Sequence, residues 1–176
     1  MRIEAGHTMA VAIDFQERLM PVMQEKEKLV ESACILLAGL KALEVPICIT
    51  QQYTKGLGDT VSEITDAIGH TNYIEKVRCS AYEDIKGEVS AKKYIIVCGI
   101  EAHICVLQTV IDLKAAGFVP VLVTDCISSR KSIDKKMALR RAEQEGAILT
   151  TYEAILFELL VSAGTETSKK IQRLVK

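Results

Sequence analysis

The sequence predicts a doubly wound α/β fold with a mostly parallel, six-stranded sheet and helices on both faces, a three-layer arrangement of the Rossmann type. Short apolar runs alternate with longer segments of helical periodicity along the chain of 176 residues. Runs such as residues 94–97 are continuously apolar, which is typical of strands covered on both faces. Apolar residues make up 49% of the chain, and such a sheet or a subunit interface accounts for that share. We expect a single domain over residues 1–176.

Six runs have the length and composition of strands. They lie at residues 9–13, 46–50, 73–77, 93–98, 119–124 and 147–150. Between the first two runs, leucine and alanine recur at helical spacing from Leu29 to Leu43. Further helices are predicted over residues 103–116 and 132–145, each followed by a glycine that can end a helix, and over residues 165–176. This order of elements predicts right-handed crossovers between parallel strands.

Composition limits the partners and the compartment. The net charge is −1, from 22 basic and 23 acidic residues, so we expect neither a nucleic-acid nor a membrane partner. No apolar stretch reaches the ~18 residues of a membrane span, and no signal peptide is visible. The six cysteines show no CxxC or Cys/His metal-ligand spacing, which favours free thiols in a reducing compartment. We therefore expect a cytoplasmic protein that acts on a small molecule.

Three predicted strand ends carry reactive side chains. Parallel sheets bind ligands at the carboxyl ends of their strands, near the point where strand order reverses. Asp14 follows the first run, Lys76 ends the third, and Cys105 follows the fourth after a glycine turn. Singly, Asp14 can cap a turn, Lys76 can be solvated, and Cys105 can be a buried helix residue. Together they form a workable reaction centre, because a carboxylate can accept the thiol proton and an ammonium group can stabilise the thiolate.

Cys105 is predicted to lie in the first turn of a helix. Backbone N–H groups there lack partners within the helix, and the positive end of the helix dipole favours thiolate over thiol. The same N–H groups are suited to hold an oxyanion when a carbonyl carbon is attacked. His103 lies two residues earlier, and residues two apart do not share a helix face. We therefore expect His103 at the pocket rim or against another subunit, and not as the base.

Several motifs extend this pattern. They are residues 12–16, Glu75 and Lys76 with residues 80–82, residues 99–106, Thr109, Gly117 and residues 125–130. By these motifs the chain resembles the isochorismatase-like cysteine hydrolase family over almost its whole length. The segment 99–106 is most similar to uncharacterised isochorismatase-domain proteins of eukaryotes.

The resemblance implies a triad of Asp14, Lys76 and Cys105, with a cis peptide bond between Ile100 and Glu101. It implies that the N–H groups of Glu101 and Cys105 form an oxyanion hole. The implied reaction cleaves a C–N bond of amide or ureide type through a thioester on Cys105, without a cofactor, in a homodimer or larger homo-oligomer. Candidate substrate-binding residues, several of which also fit solvated loop positions, are Gln16, Gln52, Tyr53, Tyr82 and His103.

Two departures from the family bear on the activity. Nicotinamidases in the family bind a metal through an Asp and two His residues after the second strand, and residues 50–56 contain neither residue type. We therefore expect no nicotinamidase activity and no metal. Isochorismatases proper lack the cysteine nucleophile, so Cys105 favours C–N cleavage over vinyl-ether hydrolysis. A non-catalytic module that dimerises or binds a metabolite is an alternative, as is a redox-sensing thiol protein.

Overall fold

A computed structural model describes residues 2–176, whose six strands form one parallel sheet. The strands are β1 (Thr8–Ile13), β2 (Ile47–Gln52), β3 (Ile74–Lys76), β4 (Tyr94–Ile100), β5 (Val119–Ser128) and β6 (Ile148–Thr150). Their order is β3-β2-β1-β4-β5-β6, and every neighbouring pair is parallel. The predicted fold class is confirmed. Strand order reverses between β1 and β4, which places the crevice of a doubly wound sheet at their carboxyl ends.

Helices cover both faces of this sheet. They are α1 (Lys26–Ala42), α2 (Thr54–Leu57), α3 (Ser62–Ile68), α4 (Tyr82–Val89), α5 (Leu107–Ala115), α6 (Ser132–Gln144), α7 (Tyr152–Leu160) and α8 (Glu166–Leu174). Buried side chains of α1, α3, α7 and α8 belong to one hydrophobic core, and those of α4, α5 and α6 to another. Among residues 2–176, no helix has the length and apolarity needed to cross a bilayer.

The position of β1 between two layers of helices explains why its sequence is almost entirely apolar. All six of its residues are buried. Ala10 and Ala12 face the first core, whereas Met9, Val11 and Ile13 face the second. Because successive side chains of a strand point to opposite faces, a strand between two helical layers needs apolar residues at both parities.

The structure corrects several predicted boundaries near the carboxyl edge of the sheet. Strands β4 and β5 run on to Ile100 and Ser128, beyond their predicted ends. A register shift between Val97 and Gly99 allows Ile100 to pair with Ser128, as expected when an irregularity bends a strand and lets pairing resume. The predicted helix 103–116 divides into a π-helical turn, Ala102–Val106, followed by α5. This turn, and not a regular helix end, carries Cys105.

The predicted closing helix is confirmed as α8. The Thr165 side chain accepts a hydrogen bond from the N–H of Ser168 at 3.0 Å and so caps the helix. Ile171 is fully buried in the first core. The apolar positions of this segment therefore serve packing within the chain.

Candidate active site

The side chains of Asp14, Lys76 and Cys105 lie together at the carboxyl edge of the sheet. Asp14 follows the last residue of β1, and Lys76 is the last residue of β3. The Lys76 Nζ lies 2.7 Å from the Asp14 Oδ2, and both side chains are 0% exposed. The Cys105 thiol donates a hydrogen bond to Asp14 and lies within the electrostatic reach of Lys76. The three residues of the predicted reaction centre are thus neighbours in space.

The Asp14 carboxylate is fixed by the neighbouring strand. Its Oδ1 accepts a hydrogen bond from the Thr50 hydroxyl at 2.8 Å, and its backbone N–H donates to the Thr50 carbonyl at 3.2 Å. The residue has a φ of +52°, and its carbonyl accepts from the N–H of Gln16 at 2.7 Å. Aspartate tolerates this left-handed conformation better than most residues. The chain therefore turns sharply at Asp14, and one carboxylate oxygen is left to face the other reactive groups.

The Lys76 ammonium directs its hydrogen bonds away from Asp14. Its Nζ donates to the Gln52 Oε1 at 2.6 Å and to the carbonyls of Arg78 and Cys79, each at 3.1 Å. Three acceptors match the three protons of an ammonium group. The Asp14 Oδ2 is buried and has no hydrogen-bond partner in the described structure. The positive charge of Lys76 therefore lies 2.7 Å from this oxygen without a hydrogen bond to it. The lone pairs of the oxygen stay free to accept a proton.

Gly99 allows β4 to approach β1 at this edge. Its φ is +130°, and a Cβ at this position would overlap the carbonyl oxygen of Ile13. Only glycine has both the conformational freedom and the missing side chain that this approach requires. The close approach brings the turn that carries Cys105 next to the residue after Ile13, which is Asp14.

The Cys105 turn is held by hydrogen bonds on both sides. The Glu101 carbonyl accepts from the N–H groups of Ile104 at 3.0 Å and Val106 at 3.2 Å. The Thr109 hydroxyl donates to the Cys105 carbonyl at 2.7 Å and accepts from the N–H of Ala81 at 2.9 Å. Sequence reasoning missed this positioning role of Thr109, although a threonine four residues after a helical carbonyl commonly bonds back to it.

The surroundings of Cys105 act on the pKa of its thiol in opposite directions. Its pKa is raised to about 12, first by burial and then by the negative charge of Asp14, while the Lys76 ammonium acts in the opposite direction. The helix-dipole effect that favours the thiolate is therefore outweighed in this pKa. A partly buried π-helical turn replaces the exposed helix end on which the expectation of a thiolate rested, and removing water from an anion costs more than a helix terminus returns.

We predict opposite changes in the pKa of the Cys105 thiol when its two charged neighbours are replaced. Asp14→Asn removes a negative charge and should lower this pKa, and Lys76→Met removes a positive charge and should raise it, each by about 1 unit or more. Alkylation of Cys105 followed by peptide mass spectrometry measures the shifts on the limb where the rate rises about tenfold per pH unit. Equal shifts in one direction would mean that the two residues do not act on the thiol through their charges.

The Glu101 side chain forms a second ion pair beside the Cys105 turn. Its carboxylate accepts hydrogen bonds from the Arg130 Nε at 3.0 Å and from the Arg130 N–H at 3.0 Å, and the Glu101 side chain is 8% exposed. The peptide bond between Ile100 and Glu101 is cis. The pair ties the segment before Cys105 to the end of β5, and so sets the direction of the backbone on which an oxyanion hole would depend.

Gln16 and Gln52 bind protein groups. Gln16 is 0% exposed, and its amide bonds to the backbone N–H of Gln52 at 2.7 Å, to the Gln52 carbonyl at 3.0 Å and to the Gly58 carbonyl at 2.7 Å. The Gln52 side chain bridges Lys76 and the Val77 carbonyl. Both side chains therefore support the local structure, and substrate contact by these glutamines stays a prediction. The sequence could not reveal this supporting role, because the partners are distant along the chain.

The two tyrosine candidates also have local packing partners. The Tyr53 ring lies against Gly56 and is 54% exposed, while the Tyr53 N–H donates to the Lys76 carbonyl at 3.0 Å. The Tyr82 ring packs against Phe118, with 6.2 Å between ring centroids. Tyr53 thus remains accessible beside Lys76, whereas the placement of Tyr82 corresponds to packing at the edge of the second core.

The contacts of His103 lie with Ser129 and Asp134. Its Nδ1 lies 2.9 Å from the Ser129 hydroxyl, and its Nε2 lies 3.9 Å from the Asp134 Oδ2. With Leu107, Met137 and other residues of α6, it lines a cavity of about 430 Å³ in which Cys105 takes no part. Its imidazole thus contacts Ser129, just after β5, and Asp134 of α6, which agrees with the expectation that His103 is not the base for Cys105.

The polar side chains at the end of β2 form hydrogen bonds with neighbouring protein groups. The Gln51 Oε1 accepts from the N–H and hydroxyl of Thr60 at 2.9 and 2.8 Å, and its Nε2 donates to the Thr54 hydroxyl at 3.0 Å. Within residues 2–176, no group of three or more His, Cys, Asp or Glu side chains is arranged to hold a metal ion. The amides of Gln51 and Gln52 therefore organise a loop and an ammonium group at this edge of the sheet.

Known proteins share this architecture. Isochorismatase domain-containing protein 2 of Bos taurus is 35% identical over 178 residues, which cover 99% of this chain and 86% of the bovine protein. Isochorismatase domain-containing protein 1 of Danio rerio is 33% identical over 167 residues, which cover 93% of this chain but 59% of the zebrafish protein. The chain thus spans less than two thirds of the length of the zebrafish relative.

Solved structures agree with this relationship. A structure described as the MAR1 ribonuclease of Caenorhabditis elegans superposes with a TM-score of 0.94 at 31% identity, over 99% of this chain and 92% of that chain. The YcaC gene product of Escherichia coli, described as an octameric hydrolase of unknown specificity, superposes with a TM-score of 0.86 at 25% identity, over 92% of this chain and 83% of that chain. The model of the isochorismatase domain matches residues 8–154. The chain therefore belongs to the isochorismatase family.

Proposed function

We propose that this chain is a cysteine hydrolase that cleaves the C–N bond of a small amide or ureide through a thioester on Cys105. The observation that carries the proposal is the Asp14 Oδ2, a buried carboxylate oxygen that lies 2.7 Å from the Lys76 Nζ and accepts no hydrogen bond in the described structure, on a carboxylate that also interacts with the Cys105 thiol. A hydrolase of the same family, the E. coli YcaC protein, supports hydrolysis as the class of reaction.

Acylation begins from a neutral thiol. As the Cys105 Sγ forms a bond to the substrate carbonyl carbon, Asp14 Oδ2 accepts the thiol proton and the carbonyl oxygen becomes an oxyanion. Before the step, the buried charges are Asp14⁻ and Lys76⁺; after it, they are the oxyanion and Lys76⁺. The net charge of the buried centre does not change, which avoids the large cost of creating an unpaired charge away from water. This balance is why a thiol with a raised pKa can act as a nucleophile here.

The tetrahedral intermediate on Cys105 then breaks down with loss of the amine. The C–N bond breaks, the amine leaves with the proton held by Asp14, and an acyl thioester remains on Cys105. Water attacks the thioester while Asp14 accepts its proton, the carboxylic acid leaves, and the thiol is restored. The backbone N–H groups of Glu101 and Cys105 are the proposed donors to the oxyanion, on the segment that Arg130 and Thr109 hold in place.

A homo-oligomer and a cytoplasmic location also belong to this proposal. The octameric state described for the E. coli YcaC protein supports the expectation that this chain assembles with copies of itself. RNA is the competing substrate, because the C. elegans relative is described as a ribonuclease. The nearly balanced charge of the chain, −1 in total, favours a small molecule over a polyanion.

The experiment that tests the proposal is to look for an acyl adduct on Cys105. The protein is incubated with a panel of small amides and ureides, ammonia or amine release is followed, and quenched samples are analysed by peptide mass spectrometry. We expect release with at least one compound, with an acyl group on Cys105. Cys105→Ala should reduce turnover by at least about 10⁴-fold while it melts like the wild type.

Cys79→Ser is the control, because Cys79 is an exposed thiol that lies close enough to Cys105 to influence it electrostatically. This variant should keep both adduct and turnover. An adduct that moves to Cys79, or turnover that survives Cys105→Ala, would overturn the assignment of the nucleophile. If the protein shows no amide turnover but cleaves an RNA oligonucleotide, and this cleavage persists in Cys105→Ala, the proposed function is wrong and ribonuclease activity takes its place.

A further inference from the structure

We propose that Gln52 is a positioning residue that aims the Lys76 ammonium away from Asp14 and so keeps the Asp14 Oδ2 open to the Cys105 proton. The inference rests on the proposed function, in which that oxygen is the base. It gives Gln52 a task that neither a substrate contact nor a solvated loop residue would have.

The orientation of the Gln52 amide is fixed by two unlike partners. Its Oε1 accepts from the Lys76 Nζ at 2.6 Å, and its Nε2 donates to the Val77 carbonyl at 2.9 Å. A flipped amide would set an NH₂ group against the ammonium and a carbonyl against a carbonyl, and both hydrogen bonds would be lost. The oxygen therefore always faces Lys76.

The backbone of Gln52 is itself clamped. Gln16 accepts from the Gln52 N–H at 2.7 Å and donates to the Gln52 carbonyl at 3.0 Å and to the Gly58 carbonyl at 2.7 Å. Because Gln16 is 0% exposed, water does not compete for these bonds. Gln16 thus fixes Gln52, and Gln52 in turn fixes the ammonium.

The consequence for the proton follows from counting donors. With Gln52 present, Gln52 and the carbonyls of Arg78 and Cys79 take all three ammonium protons. Without the Gln52 oxygen, one proton is released, and the Asp14 Oδ2 at 2.7 Å is the nearby acceptor without a bond to Lys76. A direct hydrogen bond from Lys76 would then compete with the Cys105 thiol for the same oxygen, and it would disperse the negative charge that the thiol senses.

The test is to compare Gln52→Met with Gln51→Met. Methionine has a length similar to glutamine and lacks the acceptor. We expect Gln52→Met to lower the pKa of the Cys105 thiol, so that Cys105 is alkylated by iodoacetamide about tenfold faster at a fixed pH on the rising limb. Acylation by an amide substrate should be about tenfold slower, because the base is occupied. Loosening of the site would also expose the thiol and speed alkylation, so Gln52→Glu, which keeps an acceptor for Lys76 and should slow alkylation, separates the two explanations.

Gln51→Met is the matched control. Gln51 is the adjacent glutamine, is 2% exposed, and bonds to Thr60, Thr54 and Asp59 instead of Lys76. It should leave the alkylation profile of Cys105 at the wild-type position. An identical profile for wild type and Gln52→Met would overturn the inference.

Gln52→Glu decides the matter independently, including the case in which Gln52→Met does not fold. A carboxylate keeps an acceptor for Lys76 and adds a negative charge, so the pKa of the Cys105 thiol should rise and alkylation should slow. An unchanged or faster rate contradicts the inference. Since these measurements need no substrate, they are separable from the proposed function: shifts in the expected directions without any acyl adduct in the wild type would sink the hydrolase proposal alone.

Discussion

Lys76→Met is expected to lower the free energy of unfolding by about 3–5 kcal/mol, because it leaves a buried carboxylate without its counter-charge. The Asp14 and Lys76 side chains are both 0% exposed, so water cannot replace the lost interaction. Urea-induced unfolding, followed by circular dichroism, measures the change. The double variant Asp14→Asn/Lys76→Met should regain a large part of the lost stability, since removing both charges also removes the unpaired one.

The control for this prediction is Lys86→Met. Lys86 pairs with Glu83 at 2.9 Å, but the two side chains are 61% and 49% exposed. The stability of this variant should be close to that of the wild type, because exposed ion pairs contribute little. If Lys76→Met is no less stable than Lys86→Met, water reaches the carboxylate, and the charge balance that we use for acylation does not hold.

Gly99→Ala is expected to destabilise the protein by more than about 3 kcal/mol, or to prevent folding. The added methyl group would overlap the Ile13 carbonyl oxygen, and the φ of +130° is strained for alanine. Relief of the overlap would separate β4 from β1 at the edge that positions Asp14 and Cys105. Thermal unfolding and the yield of folded protein measure the effect.

Gly117→Ala separates the overlap from the backbone strain. Gly117 also has a positive φ, +92°, but a Cβ there meets no atom within 4 Å. We expect a loss of only about 1–2 kcal/mol, the cost of a left-handed alanine. Similar losses in the two variants would show that the approach of β4 to β1 relaxes easily, and would remove our reason for assigning Gly99 to the site.

The placement of the residues that end strands could largely be predicted from the sequence. Asp14, Lys76 and Cys105 stood out because each lies at or beyond the end of a predicted strand, and parallel topology then brings strand ends to one edge. Their proximity is therefore largely a consequence of the predicted fold. The supporting residues were harder to find, since Gln52 and Lys76 are separated by 24 positions and Gln16 and Gln52 by 36.

The pKa of the Cys105 thiol could not be predicted from the neighbouring sequence. Its position near a helix start suggested a thiolate, but its pKa is raised to about 12 by burial and by Asp14. Burial depends on the whole fold, and the Asp14 carboxylate reaches the thiol only through the close approach at Gly99. Neither the burial of the thiol nor its proximity to Asp14 can be read from the residues around Cys105 in sequence.

By itself, the sequence predicted the fold class, the six strands and the placement of Asp14, Lys76 and Cys105 at one edge of the sheet. It did so because alternation, periodicity and strand-end position are local properties of the chain. The tertiary structure decided the raised pKa of the Cys105 thiol, the hydrogen-bond partners of Lys76, and the local contacts of Gln16, Gln52 and Thr109. These depend on distances of about 3 Å between groups far apart in sequence and on the exclusion of water from around them, and only the packed fold sets both.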